Sequence, residues 1–150
     1  MDGYTKLVTD RVRAGWSCNL VTFLFSQLAG TRPAVINRMK DEVHRVYATL
    51  LTRVHRKPRT ASTDELPVLI GVLDLPVHKH NKLSGPMVLC NGGLHVHALI
   101  LMPPTSRLKE SLADHFREKR DLYAGSGRSI QRIDVRPVVG AMAEIGRAHV

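Results

Sequence analysis

The sequence predicts an α+β fold in which an antiparallel sheet has helices packed on one face. Four short segments are rich in apolar and β-branched residues, and two longer segments show helical periodicity. Their order along the chain is β-α-β-β-α-β, which is the ferredoxin-like, or split βαβ, arrangement. The length of 150 residues suits a single domain of this kind.

The first half of the chain contains one predicted strand and the clearest helix. Residues 17–27 concentrate Val, Thr and Phe in a short apolar run and are predicted to form a strand, whereas residues 1–15 are polar and are expected to be a loose lead-in. A helix is predicted from Pro33 to about residue 55, because apolar residues recur there at steps of three or four. The apolar stripe consists of Val35, Ile36, Met39, Val43, Val46, Tyr47, Leu50, Leu51 and Val54.

The second half contains three predicted strands and one helix. The strands cover residues 66–77, 94–102 and 129–138. Between the last two, Thr105 or Ser106 can cap a second helix, because hydroxyl side chains accept hydrogen bonds from free helix N–H groups. The apolar face of this helix comprises Leu108, Leu112, Phe116 and Tyr123.

The first predicted helix ends in a cationic cluster, which consists of Arg53, Arg56, Lys57 and Arg59. Two interpretations remain open. Cations complement the negative end of the helix dipole, so the cluster can be simply a charged helix end. Lys and Arg also bind phosphate groups, so the same four residues are candidate nucleic-acid contacts.

The net charge of the chain indicates what kind of partner it binds. The chain has 22 Lys and Arg against 13 Asp and Glu, a net charge of +9, and a small protein this basic usually faces a polyanion such as nucleic acid. A basic surface without a specialised partner is the alternative. Only 5% of residues are aromatic, so contacts with nucleic acid are expected to involve phosphate and to weaken with salt.

Membrane and secreted classes fit the sequence poorly. No apolar run approaches the roughly 20 residues that a membrane helix needs. The two cysteines form no disulfide framework, which is typical of reduced thiols. We therefore expect a cytoplasmic protein without a membrane partner.

Two histidines, His95 and His97, begin the most apolar predicted strand. Side chains at i and i+2 of a strand point to the same face, so the two imidazoles lie about 7 Å apart along the strand and can close on one divalent ion. Asp74, in the neighbouring predicted strand, is the candidate third ligand. Two core histidines satisfied by hydrogen bonds are the alternative. A second pair, His78 and His80, lies in a polar connection and is interpreted as exposed loop.

The segment Gly93-Leu94-His95-Val96-His97-Ala98-Leu99-Ile100 resembles the His-hydrophobic-His metal motif of the HUH endonucleases. This superfamily includes rolling-circle replication initiators, relaxases and transposases that act on single-stranded DNA. The order of strands and helices, and the acidic residue on the strand before the motif, are similar as well. The resemblance implies that His95, His97 and Asp74 hold Mg²⁺ or Mn²⁺, which polarises a scissile phosphate in single-stranded DNA or in a DNA origin or hairpin.

The nucleophile implied by this resemblance is a tyrosine in a Tyr-x-x-Lys setting after the last strand. Tyr123 precedes that strand and lacks the lysine, so it is a weak candidate and is interpreted as helix packing. Residues 144–150 resemble a translated sequencing adapter. We therefore expect one domain over residues 1–143, incomplete at its C-terminus and lacking cleavage activity. The alternative is a ferredoxin-like nucleic-acid-binding module without chemistry, whose histidines are buried and structural.

Overall fold

The computed structural model describes residues 3–74 and 90–138 of the chain. Its strands are β1 (Ser17–Phe25), β2 (Val68–Asp74), β3 (His95–Met102) and β4 (Ile130–Pro137). Its helices are α1 (Gly3–Arg13), α2 (Arg32–Val54), α3 (Leu112–Glu118) and α4 (Arg120–Tyr123). The strands form one antiparallel sheet in the order β2-β3-β1-β4. From β1 onward, this arrangement confirms the predicted α+β, ferredoxin-like class.

One side of the sheet, the covered face, packs against α2 and α3 and forms the main core. Its central strand residues are Val21, Phe23, Val96, Ala98 and Ile100. The residues of α2 that are buried here, Val35, Met39, Val43, Val46, Leu50 and Val54, all belong to the predicted stripe. Alternate strand residues point to opposite sides of a sheet, so His95 and His97 lie on the other side, the open face.

Part of the open face is covered by α1, which the sequence did not predict. Val8 of α1 packs with Trp16, Cys18 and Leu101 in a second, smaller core. Residues 3–13 therefore form a helix rather than a loose lead-in, and that prediction was wrong. The helical signal is weak because the polar segment offers little more than Val8 and Val12, four residues apart, for burial.

The second predicted helix begins later than expected. Ser111, rather than Thr105 or Ser106, is its N-cap, and its hydroxyl accepts a hydrogen bond from the Asp114 N–H at 3.1 Å. The Ser106 hydroxyl instead accepts from the Leu108 N–H at 3.1 Å and closes a local turn. Such competition between local turns and helix caps is common for serine.

Two predictions lie outside the described residues. They are the connection that contains His78 and His80, and the proposed tail at residues 144–150. Among the helices that the structure describes, none combines the length and the apolar character needed to cross a membrane.

Candidate metal centre

The three predicted ligands meet at one end of the open face. Asp74 at the end of β2 pairs in register with His95 at the start of β3. His97 follows two residues later and points to the same side. The Nε2 atoms of the two histidines are 3.0 Å apart, and Asp74 Oδ2 lies 3.5 Å from His95 Nε2 and 3.2 Å from His97 Nε2. The structure therefore brings together the group that the sequence predicted.

This group has the dimensions of a set of ligands for one metal ion. Separations of 3.0–3.5 Å are those expected between ligand atoms that each bind a single ion at about 2.1 Å. All three side chains reach the shared position from the protein, and each is partly exposed to solvent. Two imidazoles and one carboxylate suit Mn²⁺ and other transition metals better than Mg²⁺, which prefers oxygen ligands.

Hydrogen bonds on the far side of each ring orient the two histidines. His95 Nδ1 is 2.9 Å from the Gly93 carbonyl oxygen, and because a carbonyl can only accept, Nδ1 carries the proton. His97 Nδ1 is 3.0 Å from the hydroxyl of Thr22, its register partner on β1. When the hydroxyl accepts from Nδ1–H, both Nε2 lone pairs face the shared position. In this tautomer the two lone pairs, 3.0 Å apart, suit a cation at the shared position, whereas in the other tautomer of His97 the Nε2–H donates to His95 Nε2.

The centre is open to solvent and suited to ligation at neutral pH. The exposed fractions of the side chains are 20% for His95, 39% for His97 and 47% for Asp74. Burial, followed by the charge of His95, lowers the pKa of His97 below its ordinary value of 6.5, although Asp74 opposes this shift. His97 is therefore neutral near pH 7, which is the form that binds a metal.

A tight turn at Cys90–Gly93 positions the start of β3. Asn91 has φ of 56° and is buried, and its side chain links the turn to the segment after β1. Its Oδ1 accepts from the Leu28 N–H at 2.7 Å, and its Nδ2 donates to the Ser26 carbonyl at 2.9 Å. Sequence reasoning missed this residue, although asparagine before two glycines is a recognised turn signal.

The predicted cationic cluster is not part of this centre. Arg53 lies in the last turn of α2, and Arg56, Lys57 and Arg59 follow in the connection to β2. This segment is tied to the residues before β2 by His55, whose Nε2 is 2.8 Å from the Glu65 carboxylate. Because β2 begins at Val68 and reaches the centre only at Asp74, the cluster lies about 20 Å away along the sheet.

Tyr123 packs in the core on the covered face, as interpreted from the sequence. Its side chain is fully buried, and its hydroxyl is 2.7 Å from His115 Nε2. His115 Nδ1 is in turn 3.0 Å from the Glu110 carboxylate, which fixes the ring as a donor to Glu110 and an acceptor from the tyrosine. Burial raises the pKa of Tyr123 to about 12. The sheet separates this hydroxyl from the His-His-Asp group.

The fold and the site define a class: an α+β protein with a ferredoxin-like sheet and a surface group of two histidines and one aspartate that could hold a metal ion. Comparison with protein-family models, curated proteins and solved structures finds no match to this chain.

Proposed function

We propose that this chain is a metal-dependent domain that binds single-stranded DNA and holds a phosphodiester for nicking or strand transfer, as its resemblance to the HUH endonucleases implies. The observation that carries the proposal is the Asp74, His95 and His97 group, whose ligand atoms lie 3.0–3.5 Å apart on an accessible sheet face. The net charge of +9 supports a polyanionic partner.

The chemistry divides between the ion and the protein. Bound Mn²⁺ or Mg²⁺ would supply a Lewis acid at a phosphate oxygen. His95 and His97 would present Nε2 lone pairs to the ion, and the Asp74 carboxylate would supply negative charge beside it. Because the three side chains are each partly exposed to solvent, the solvent side remains available to the phosphate.

None of the three tyrosines of the chain is placed to attack at this centre. Tyr123 is buried on the covered face, and the Tyr47 hydroxyl donates to the Pro67 carbonyl at 2.6 Å. Tyr4 lies in α1, which packs over the other end of the open face. We therefore propose that the attacking hydroxyl is supplied from elsewhere, and that this chain alone binds metal and DNA without cleaving.

A nucleic-acid-binding module without chemistry is the second candidate. The lack of a suitably placed tyrosine favours it, and the basic charge fits it equally well. It assigns no role, however, to three ligand atoms that converge on one point.

Thermal unfolding with Mn²⁺ separates the two candidates. Mn²⁺ at about 100 times its Kd should stabilise the folded chain by about 2.7 kcal/mol and raise the Tm. Replacing both site histidines (His95→Ala with His97→Ala) should abolish the rise, whereas His44→Ala, at an exposed histidine on α2, should preserve it. An absent Tm rise in the parent, or an equal rise in the double variant, would favour the module without chemistry.

A further inference from the structure

The fourth strand extends the face that carries the metal centre. Thr22 of β1 pairs with His97 on one side and with Asp134 of β4 on the other. Arg132 pairs with Leu24, and Arg136 pairs with Leu20. The side chains of Arg132, Asp134 and Arg136 therefore share the open face with the ligands.

Both arginines lie on the β4 side of the centre, at distances that suit an extended strand of nucleic acid. Arg132 lies two strands from His95, or about 10 Å, and Arg136 lies about 13 Å further along β4. Both residues are exposed. The Arg132 guanidinium donates to Asp134 Oδ2 from Nε and Nη2, each at 3.1 Å, which holds it along β4.

The surface between the arginines and the ligands is partly apolar. Leu20 and Leu24 on β1 are partly exposed and lie between β3 and β4, and Val72 on β2, on the other side of His97 from the arginines, is 62% exposed. Apolar side chains can contact unpaired bases, whereas a duplex keeps its bases stacked inside. A partly apolar sheet surface with arginines at its edge therefore fits a single strand of nucleic acid better than a duplex.

Charge on this face depends on the ion. Among the described strand residues of this face, the positive charges of Arg132 and Arg136 balance the negative charges of Asp74 and Asp134. A bound divalent ion adds two positive charges. Metal binding and DNA binding should therefore strengthen each other, and thermodynamic linkage makes that coupling reciprocal.

We propose, on the basis of the function proposed above, that single-stranded DNA crosses the open face from the metal centre to Arg132 and Arg136, with bases on Leu24 and Leu20. This surface, rather than the cationic cluster at Arg53–Arg59, carries the metal-dependent part of the affinity. Its phosphate contacts are the metal centre and the two arginines of β4.

Fluorescence anisotropy of a labelled 20-nucleotide oligothymidine with the full chain tests this surface. In Mn²⁺, Arg132→Gln with Arg136→Gln should weaken binding about 10-fold or more and lower the salt slope by about 1–2, because two phosphate contacts are lost. The matched double variant Arg56→Gln with Arg59→Gln removes the same charge and should change the affinity less than about 2-fold. Arg132→Lys with Arg136→Lys should retain the parent salt slope.

The outcomes separate this inference from the function on which it rests. The proposed DNA path is wrong if the Arg56 and Arg59 variant loses as much affinity as the Arg132 and Arg136 variant or more, or if the Arg132 and Arg136 variant loses none. Metal-dependent DNA binding would still stand in either case. Failure of the parent to bind Mn²⁺ or the oligonucleotide overturns the proposed function as well. Unchanged far-ultraviolet circular dichroism in each variant verifies that the exposed substitutions leave the fold intact.

Discussion

At the residue scale, hydrogen bonds to the Nδ1 atoms of both histidines orient the candidate metal centre. A backbone carbonyl orients His95, whereas a side-chain hydroxyl, that of Thr22, orients His97. The first partner cannot be removed by substitution, but the second can. Thr22 therefore offers a direct way to change the position of one ligand without replacing it.

Replacing Thr22 by valine should weaken Mn²⁺ binding about 10-fold or more, because partners behind a metal-bound histidine typically contribute that much to affinity. The measurement is calorimetric titration with Mn²⁺ at pH 7.5. Thr22→Ser keeps the hydroxyl and should bind like the parent. Equal affinities for the valine and serine variants would show that the hydroxyl does not orient His97.

His115 is a second titratable residue whose environment affects stability. Burial lowers its pKa below 6.5, so it stays neutral in the folded state while the unfolded chain takes up a proton. The folded state is therefore penalised progressively as the pH falls below about 6.5 towards the lowered value. Urea unfolding at pH 7.5, 6.5 and 5.5 should show this loss of stability, and His115→Asn should reduce it. A variant with the same pH dependence as the parent would contradict this account.

The sequence predicted the His-His-Asp group but not the residues that orient it. His95 and His97 could be predicted because residues i and i+2 of a strand point to the same face. Asp74 could be predicted because a carboxylate inside an apolar strand needs a partner. Thr22 could not be found, because its proximity to His97 depends on the register between β1 and β3, which are 75 residues apart in this pair. A single sequence does not specify that register.

At the element scale, the turn at Cys90–Gly93 links the end of β1 to the start of β3. Asn91 adopts the left-handed backbone conformation there, which asparagine tolerates better than most residues. Its amide also satisfies the Leu28 N–H and the Ser26 carbonyl. The turn thus holds Gly93, and with it the carbonyl that orients His95.

Replacing Asn91 by alanine should lower the free energy of unfolding by about 2–3 kcal/mol, because it leaves buried backbone groups unpaired. Denaturant unfolding measures the loss. Asn91→Gly separates the two causes, since glycine tolerates the positive φ but lacks the amide. If the glycine variant were as stable as the parent, the side-chain hydrogen bonds would not stabilise the turn.

The elements differ in how clearly the sequence predicted them. The strands are short apolar segments, and α2 shows a helical periodicity that its burial follows. The sequence did not predict where α3 begins. Ser106 and Ser111 are equally good N-caps by residue type, and only the tertiary structure selects between them. α1 has too few apolar residues for its helix to be predicted from the sequence alone. Its apolar side is evident only from the sheet surface on which it packs.

At the scale of the whole molecule, the sheet separates the main core from the candidate metal centre. The covered face buries the main core, whereas the open face has a small core under α1 at one end and the metal centre at the other. The order of elements was sufficient to predict this class of fold. It could not show that α2 ends far from Asp74, so it could not place the cationic cluster relative to the ligands.

The two ends of the open face should respond independently to substitution. Val8→Ala should cost about 1–2 kcal/mol of stability, because it removes buried methyl groups between α1 and the sheet. It should leave the affinity for Mn²⁺ unchanged. Denaturant unfolding and calorimetric titration of the same variant provide both values, and a large loss of Mn²⁺ affinity would show that α1 and the metal centre are coupled.

The most direct test of the metal centre is anomalous diffraction from crystals of this chain grown with Mn²⁺. We expect one anomalous peak about 2.1–2.3 Å from His95 Nε2, His97 Nε2 and an Asp74 carboxylate oxygen, with water as the remaining ligands. If crystals at a saturating Mn²⁺ concentration show no anomalous peak at this site, or show a peak only at other side chains, the proposed metal centre is wrong.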